Sequence, residues 1–166
     1  MALRMRDAIT GKLSRAMVNG VLDQTGKTSP AESWAADGAI LVIEDCEPLL
    51  FYLDSALISL GYSSQHLAAN LAEAEAAWAQ HKDDIRHVLL NYELPDGISV
   101  EFAAKIRGER PNVNIIVTTG YDLATVREAC GESSGFQFLQ KPFRLSELKD
   151  CLAAQEEFQD SASIVQ

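Results

Sequence analysis

The chain of 166 residues contains no apolar run of the roughly 18 residues that a membrane-spanning helix requires. Its start, MALRMRDAITGKLSRAM, lacks the continuous apolar block and the small-residue cleavage pattern of a secretory signal. Cysteine is scarce. Cys46, Cys130 and Cys151 are widely spaced, form no C-x-x-C pair and stand apart from the histidines. That argues against a disulfide framework or a zinc site and suits packing thiols in a reducing cytoplasm. Positive charge is short as well, with 14 Lys and Arg against 24 Asp and Glu, a net of −10. Residues 1–27 hold Arg4, Arg6, Lys12, Arg15 and Lys27 against Asp7 and Asp23, a local +3 that leaves −13 for the rest. So acidic a remainder repels phosphates, so no nucleic acid is expected as a partner, and no membrane. The basic N-terminal piece is either a solvated helix face or a surface for an acidic partner.

What is present is an ordinary globular composition, 47% hydrophobic, enough to build the core of one domain with some chain to spare. Residues 1–38 differ in character from the remainder of the chain. Ile9, Leu13, Met17 and Val21 make one stripe on a helix over 7–23, weakened by Gly11 and Gly20. Residues 24–38, QTGKTSPAESWAADG, have linker composition, although Trp34 is unusual in a linker and could dock on a domain. The expected organisation is an N-terminal helix and linker over 1–38, a domain over 39–158, and a frayed tail over 159–166.

From Ala39 strands alternate with helices. AILVI (39–43) is a continuous apolar run, as in a strand buried on both faces. Pro48 marks a helix start, and Leu49, Leu50, Leu53, Leu57 and Leu60 succeed it at helical spacing until Gly61. Tyr62 to Ala68 reads as a second, polar edge strand. Asn70 is a good N-cap, with Glu73 three residues on, for an Ala-rich helix to about His81. HVLLN (87–91) is a third strand, and the loop YELPDG comes after it. A helix over Val100 to Arg107, a strand NIIVTT (114–119), a helix from Leu123 to Cys130, a strand FQFLQ (136–140) and a helix from Leu145 to Phe158 complete the pattern, the last with Leu145, Leu148, Leu152 and Phe158 inward.

Five strands separated by helices predict an α/β fold: a doubly wound, flavodoxin-like parallel sheet of order 2-1-3-4-5 with helices on both faces. Ligands of such sheets bind at the carboxyl ends of the strands. At those ends stand Glu44 and Asp45, Asn91, Thr119 before Gly120, and Lys141 before Pro142. Two carboxylates, an amide oxygen and a loop carbonyl are hard oxygen donors that suit Mg²⁺, and a hydroxyl with an ammonium suits phosphoryl oxygens. Any one of these residues alone means little. All of them at the right strand ends are far more specific.

In ILVIEDCEPLL, VLLNYELPDG, IIVTTGY and FQFLQKPF the chain resembles the receiver domain of two-component response regulators, over about residues 39–156. The resemblance implies that Glu44 and Asp45 are the acidic pair that holds Mg²⁺, with the backbone carbonyl of Glu93 and the residue at 91 as further ligands. It implies that Thr119 and Lys141 contact the phosphoryl group, that Lys141–Pro142 is cis, and that Phe138 is the aromatic switch that turns inward when Thr119 is drawn toward that group. It also implies a cognate histidine kinase or phosphotransfer protein and a downstream protein target as partners, with a homodimer as a further possibility.

One position departs from the family. Asn91 stands where the phospho-accepting aspartate belongs. An amide oxygen is a poor nucleophile and does not form the acyl phosphate, so phosphorylation at Asn91 is not expected. Loss of one of three clustered carboxylates also removes repulsion that a cation relieves, so Mg²⁺ is expected to bind more weakly. Asn91 is positioned to accept from Lys141 or donate to Asp45, favouring one fixed state. Asn91 is either natural, in a pseudo-receiver, or an introduced Asp-to-Asn change; the intact Glu44, Asp45, Thr119 and Lys141 lean toward the second. The expected function is signalling in a phosphorelay through protein contacts, not catalysis, with an output face on the fourth helix, fifth strand and last helix. The N-terminal helix would dimerise, dock or address a partner. The alternative is a Mg-dependent or small-ligand-binding flavodoxin-like protein. Against a flavin site, EDCEP after the first strand is acidic and would repel a phosphate; against a phosphotransferase, Asn91 supplies no nucleophile. A fragment of a hybrid sensor kinase, with 1–38 as interdomain linker, fits less well with the initial methionine.

Overall fold

The computed structural model of the chain describes residues 38–131 and 133–154. The amphipathic stripe of 7–23, the linker with Trp34, Phe158 and the tail all lie outside the described residues. Within them, strands β1 (Ala39–Ile43), β2 (Gln65–Ala68), β3 (Ile85–Asn91), β6 (Asn114–Thr119) and β7 (Gln137–Gln140) form one parallel sheet of order β2-β1-β3-β6-β7. Taken in chain order these five strands run 2-1-3-4-5, as expected. Between β3 and the next helix the YELPDG segment, read as loop, makes a small antiparallel pair, β4 (Glu93–Leu94) with β5 (Gly97–Ile98). A two-residue ladder is too short to show in an alternation pattern.

Helices α1 (Glu47–Ser59), α2 (Leu71–His81), α3 (Val100–Glu109), α4 (Leu123–Cys130) and α5 (Leu145–Ala153) cover the sheet. Side chains alternate across a strand, so each strand feeds two cores. Leu41, Ile43, Val88, Leu90, Ile115 and Val117 pack with Trp78 of α2, Phe102 and Ile106 of α3, and Val126 of α4. Ile40, Val42, Leu89 and Ile116 pack with Leu53 and Leu57 of α1 and with Leu148 and Leu152 of α5. Burial on both faces explains why the central strands are continuous apolar runs. None of the helices described is long and apolar enough to cross a membrane.

Boundaries differ where tertiary contacts override local signals. The second strand starts at Gln65 rather than Tyr62, because Tyr62, only 3% exposed, packs into the α1–α5 core before the chain reaches the sheet. The third strand starts two residues early, at Ile85, which pairs with Ala39. Entry into β1 requires glycine: Gly38 has φ +131°, and a Cβ there would sit 2.2 Å from Arg86 Cγ.

Candidate functional site

Parallel register carries the site residues to one edge. Ile43 pairs with Leu90, Asn91 with Thr118, and Thr119 with Gln140. The next residue along each strand therefore leaves the sheet at the same height. Asp45, Asn91, Glu93, Thr119, Gly120, Tyr121 and Lys141 line one pocket there. Glu44 lies directly beneath, 2% exposed, joined to the pocket through Lys141.

Hydrogen bonds define the pocket. Lys141 Nζ donates to Glu44 Oε2 at 2.6 Å and to Asn91 Oδ1 at 3.1 Å. Asn91 Nδ2 donates to Asp45 Oδ1 at 2.8 Å and to the backbone carbonyl of Glu93 at 2.7 Å. The orientation of the amide is set by its neighbours. An ammonium only donates, so the amide oxygen must face Lys141, and the NH₂ must face the two acceptors. Both bonds expected for Asn91 are present together, and the one to the Glu93 carbonyl is additional. Glu44 Oε1 accepts from the Cys46 amide at 3.2 Å, so both of its oxygens are engaged.

On the opposite wall Thr119, 1% exposed, accepts from the Tyr121 amide at 3.0 Å through Oγ1. The Lys141 amide donates to the Thr119 carbonyl at 2.7 Å, which ties β7 to β6 at the pocket, and Lys141–Pro142 is cis. Tyr121 is a site residue that sequence reasoning missed. Its hydroxyl donates to Glu93 Oε2, its ring meets Tyr92 edge-on at 6.1 Å, and its carbonyl accepts from Gln140. The Glu93 carboxylate, by hydrogen bond and by charge, holds the phenol above its ordinary value. The T-G-Y run, which puts Tyr121 two residues past Thr119, was the available signal; the partner, Glu93, comes from another strand end.

Phe138 is not in this pocket. It is half-buried on β7 with the Arg127 guanidinium 4.7 Å from its ring centroid, in a separate groove with Ala124, Glu128 and Phe136.

The donor set fits Mg²⁺ incompletely. The expected ligands Asp45 and Glu93 carbonyl converge, but they converge on an amide NH₂. Among the described residues no group of three or more His, Cys, Asp or Glu is arranged to hold a metal ion. Magnesium favours near-octahedral oxygen coordination, and to take both Asp45 Oδ1 and the Glu93 carbonyl it would have to displace or rotate Asn91.

Comparison with known proteins agrees with this architecture. The family model of the response regulator receiver domain matches residues 40–153, more than half of the chain. The photosynthetic apparatus regulatory protein RegA of Cereibacter sphaeroides is 29% identical over 122 residues, covering 74% of this chain and 65% of that protein. The chain thus spans about two thirds of that relative's length. Among solved structures, the signal receiver domain of an HD domain-containing protein from Pseudomonas fluorescens Pf-5 is 27% identical with a TM-score of 0.65, covering 75% of this chain and 98% of that one. A chain of the CheX-CheY-BeF₃-Mg²⁺ complex from Borrelia burgdorferi shares the fold at 18% identity and a TM-score of 0.63, covering 70% of this chain and 87% of that one.

Proposed function

The chain belongs to the response regulator receiver family, and from that premise we propose that it is a two-component signalling module that works through protein contacts without phosphorylation at residue 91. The observation that carries this reading is the hydrogen-bonded state of Asn91. Its nitrogen lone pair is delocalised and its oxygen already accepts from Lys141, which draws electron density away from the only atom that could attack a phosphoryl group. The lysine and the hydroxyl that would steady a transferred group, Lys141 and Thr119, remain in place. Asp45 and Glu44 are the side chains that would contribute to Mg²⁺ binding, which the missing third carboxylate weakens.

Partners on this reading are a cognate histidine kinase or phosphotransfer protein and a downstream protein target, and a second copy of the chain is a further candidate. The output surface would be formed by α4, β7 and α5, where Phe138 lies under Arg127. Phe138 would respond to Thr119 through β6 and β7, which are hydrogen-bonded neighbours.

Incubation with acetyl phosphate and Mg²⁺ should leave the intact mass unchanged. In Asn91→Asp a carboxylate oxygen attacks phosphorus, acetate leaves, and the mass rises by one phosphoryl group. A gain in the unsubstituted chain, mapped to this pocket, would refute the proposal. An inert Asn91→Asp would place the defect elsewhere in the site.

A further inference from the structure

The same pocket carries a second consequence, which rests on the receiver reading of the site. We infer that the Asn91 side-chain NH₂ is a built-in substitute for the divalent cation, holding Asp45 and the Glu93 carbonyl together so that the pocket is ordered without metal and closed to it. By charge alone, a neutral residue merely attracts a cation less than a carboxylate does. Geometry adds a different obstacle: the two oxygens a cation needs are already bridged by hydrogens of one donor, at 2.8 and 2.7 Å.

Three observations converge. Asn91 is 9% exposed, so little water reaches its amide to compete for its hydrogens, although Asp45 and Glu93 themselves are exposed. Its orientation is locked from the far side, because rotating the amide by half a turn would put NH₂ against the Lys141 ammonium and oxygen against two acceptors. Glu44 is withdrawn as well, with Lys141 on one oxygen and the Cys46 amide on the other. A cation that takes both Asp45 Oδ1 and the Glu93 carbonyl as ligands must break both Asn91 donor bonds.

Removing the donor separates this idea from the charge effect, because Asn91→Ala has the same charge as the parent. If charge alone governs, Asn91→Ala binds Mg²⁺ no better than Asn91. If the amide blocks the site, Asn91→Ala frees Asp45 and the Glu93 carbonyl and binds Mg²⁺ roughly tenfold more tightly, about 1.4 kcal/mol. Titration of the full chain and of the Ala and Asp variants with MgCl₂, monitored by the shift in thermal midpoint, should give the order Asp tightest, Ala next, Asn weakest. Parent and Ala binding equally, or parent binding more tightly, would overturn the inference.

A direct reading needs no variant. In ¹⁵N spectra of the unsubstituted chain both Asn91 side-chain protons should be protected from exchange and indifferent to millimolar Mg²⁺. Exchange at the rate of a free amide, or a Mg²⁺-dependent shift of these signals, would equally sink it. Neither experiment involves phosphate. Phosphorylation of the unsubstituted chain would therefore refute the function proposed above while leaving this test standing on its own result.

Discussion

His87 lies on β3 at the amino edge of the sheet, far along the strand from Asn91, 7% exposed, with its ring edge-on to Tyr62 at 5.5 Å. Gln137 Nε2 donates to Asn114 Oδ1 at 2.9 Å, so Asn114 turns its NH₂ toward Cys151 O at 2.9 Å and His87 Nδ1 at 3.3 Å. Nδ1 therefore accepts, and a proton there would set two donors face to face. Burial first, and the nearby Arg86 charge second, lower its pKa from 6.5 to about 4. The folded state thus binds fewer protons than the unfolded state between those values. Stability is fully present above about 6.5, falls as pH drops through that window, and is lost by about pH 4, a total of about 3 kcal/mol. Urea unfolding at pH 7 and pH 5 should show a larger loss for the parent than for His87→Gln; equal losses would remove His87 as the cause.

Element ends are held by two kinds of contact, local and remote. Helix α2 is capped by Asn70, whose Oδ1 accepts from the Glu73 amide at 2.9 Å, while Glu73 Oε2 accepts from the Ala69 amide at 2.9 Å. This local cap was readable from the spacing of Asn70 and Glu73. Asp96, in the turn between β4 and β5, also accepts from the Leu71 and Ala72 amides at 2.9 and 3.1 Å, which lowers its own pKa. That contact was not readable, because it joins segments remote in sequence. Asn70→Ala should lower unfolding stability by about 1 kcal/mol in urea. Arg107, in the last turn of α3, donates to the carbonyls of Pro111, Val113 and Gly135 and lies over Phe136 at 5.6 Å. It joins the end of a helix, the start of β6 and the approach to β7. Only a planar fork with several donors reaches all three. Arg107→Lys should therefore cost about 2 kcal/mol in equilibrium unfolding, with no rescue from the retained charge.

At the scale of the molecule, β1 begins at Ala39, and among the described residues the five-stranded sheet, its helices and both apolar clusters are made from Ala39 onward. Removal of residues 1–38 should leave a domain that unfolds cooperatively, with a thermal transition as sharp as that of the full chain. A broad or absent transition would mean that the N-terminal segment is part of the core.

The sequence by itself determined the five strands of the parallel sheet, the helices between them, the strand order and the residues at the carboxyl edge, though not the short β4–β5 pair. The reason is that buried parallel strands must be apolar throughout, helices must repeat near every third or fourth residue, and right-handed crossovers leave few topologies. Glu44, Asp45, Asn91, Thr119 and Lys141 could be named because each ends such a strand or comes just after it. Only the tertiary structure decided what they do to one another. Which way the Asn91 amide points depends on an ammonium from the end of β7, a carboxylate from the end of β1 and a carbonyl two residues on. Tyr121 meeting Glu93 and Phe138 lying under Arg127 rather than in the pocket depend likewise on atoms distant along the chain. Composition and periodicity place a residue at an edge, but the direction of its hydrogens is set by neighbours that only folding brings within about 3 Å.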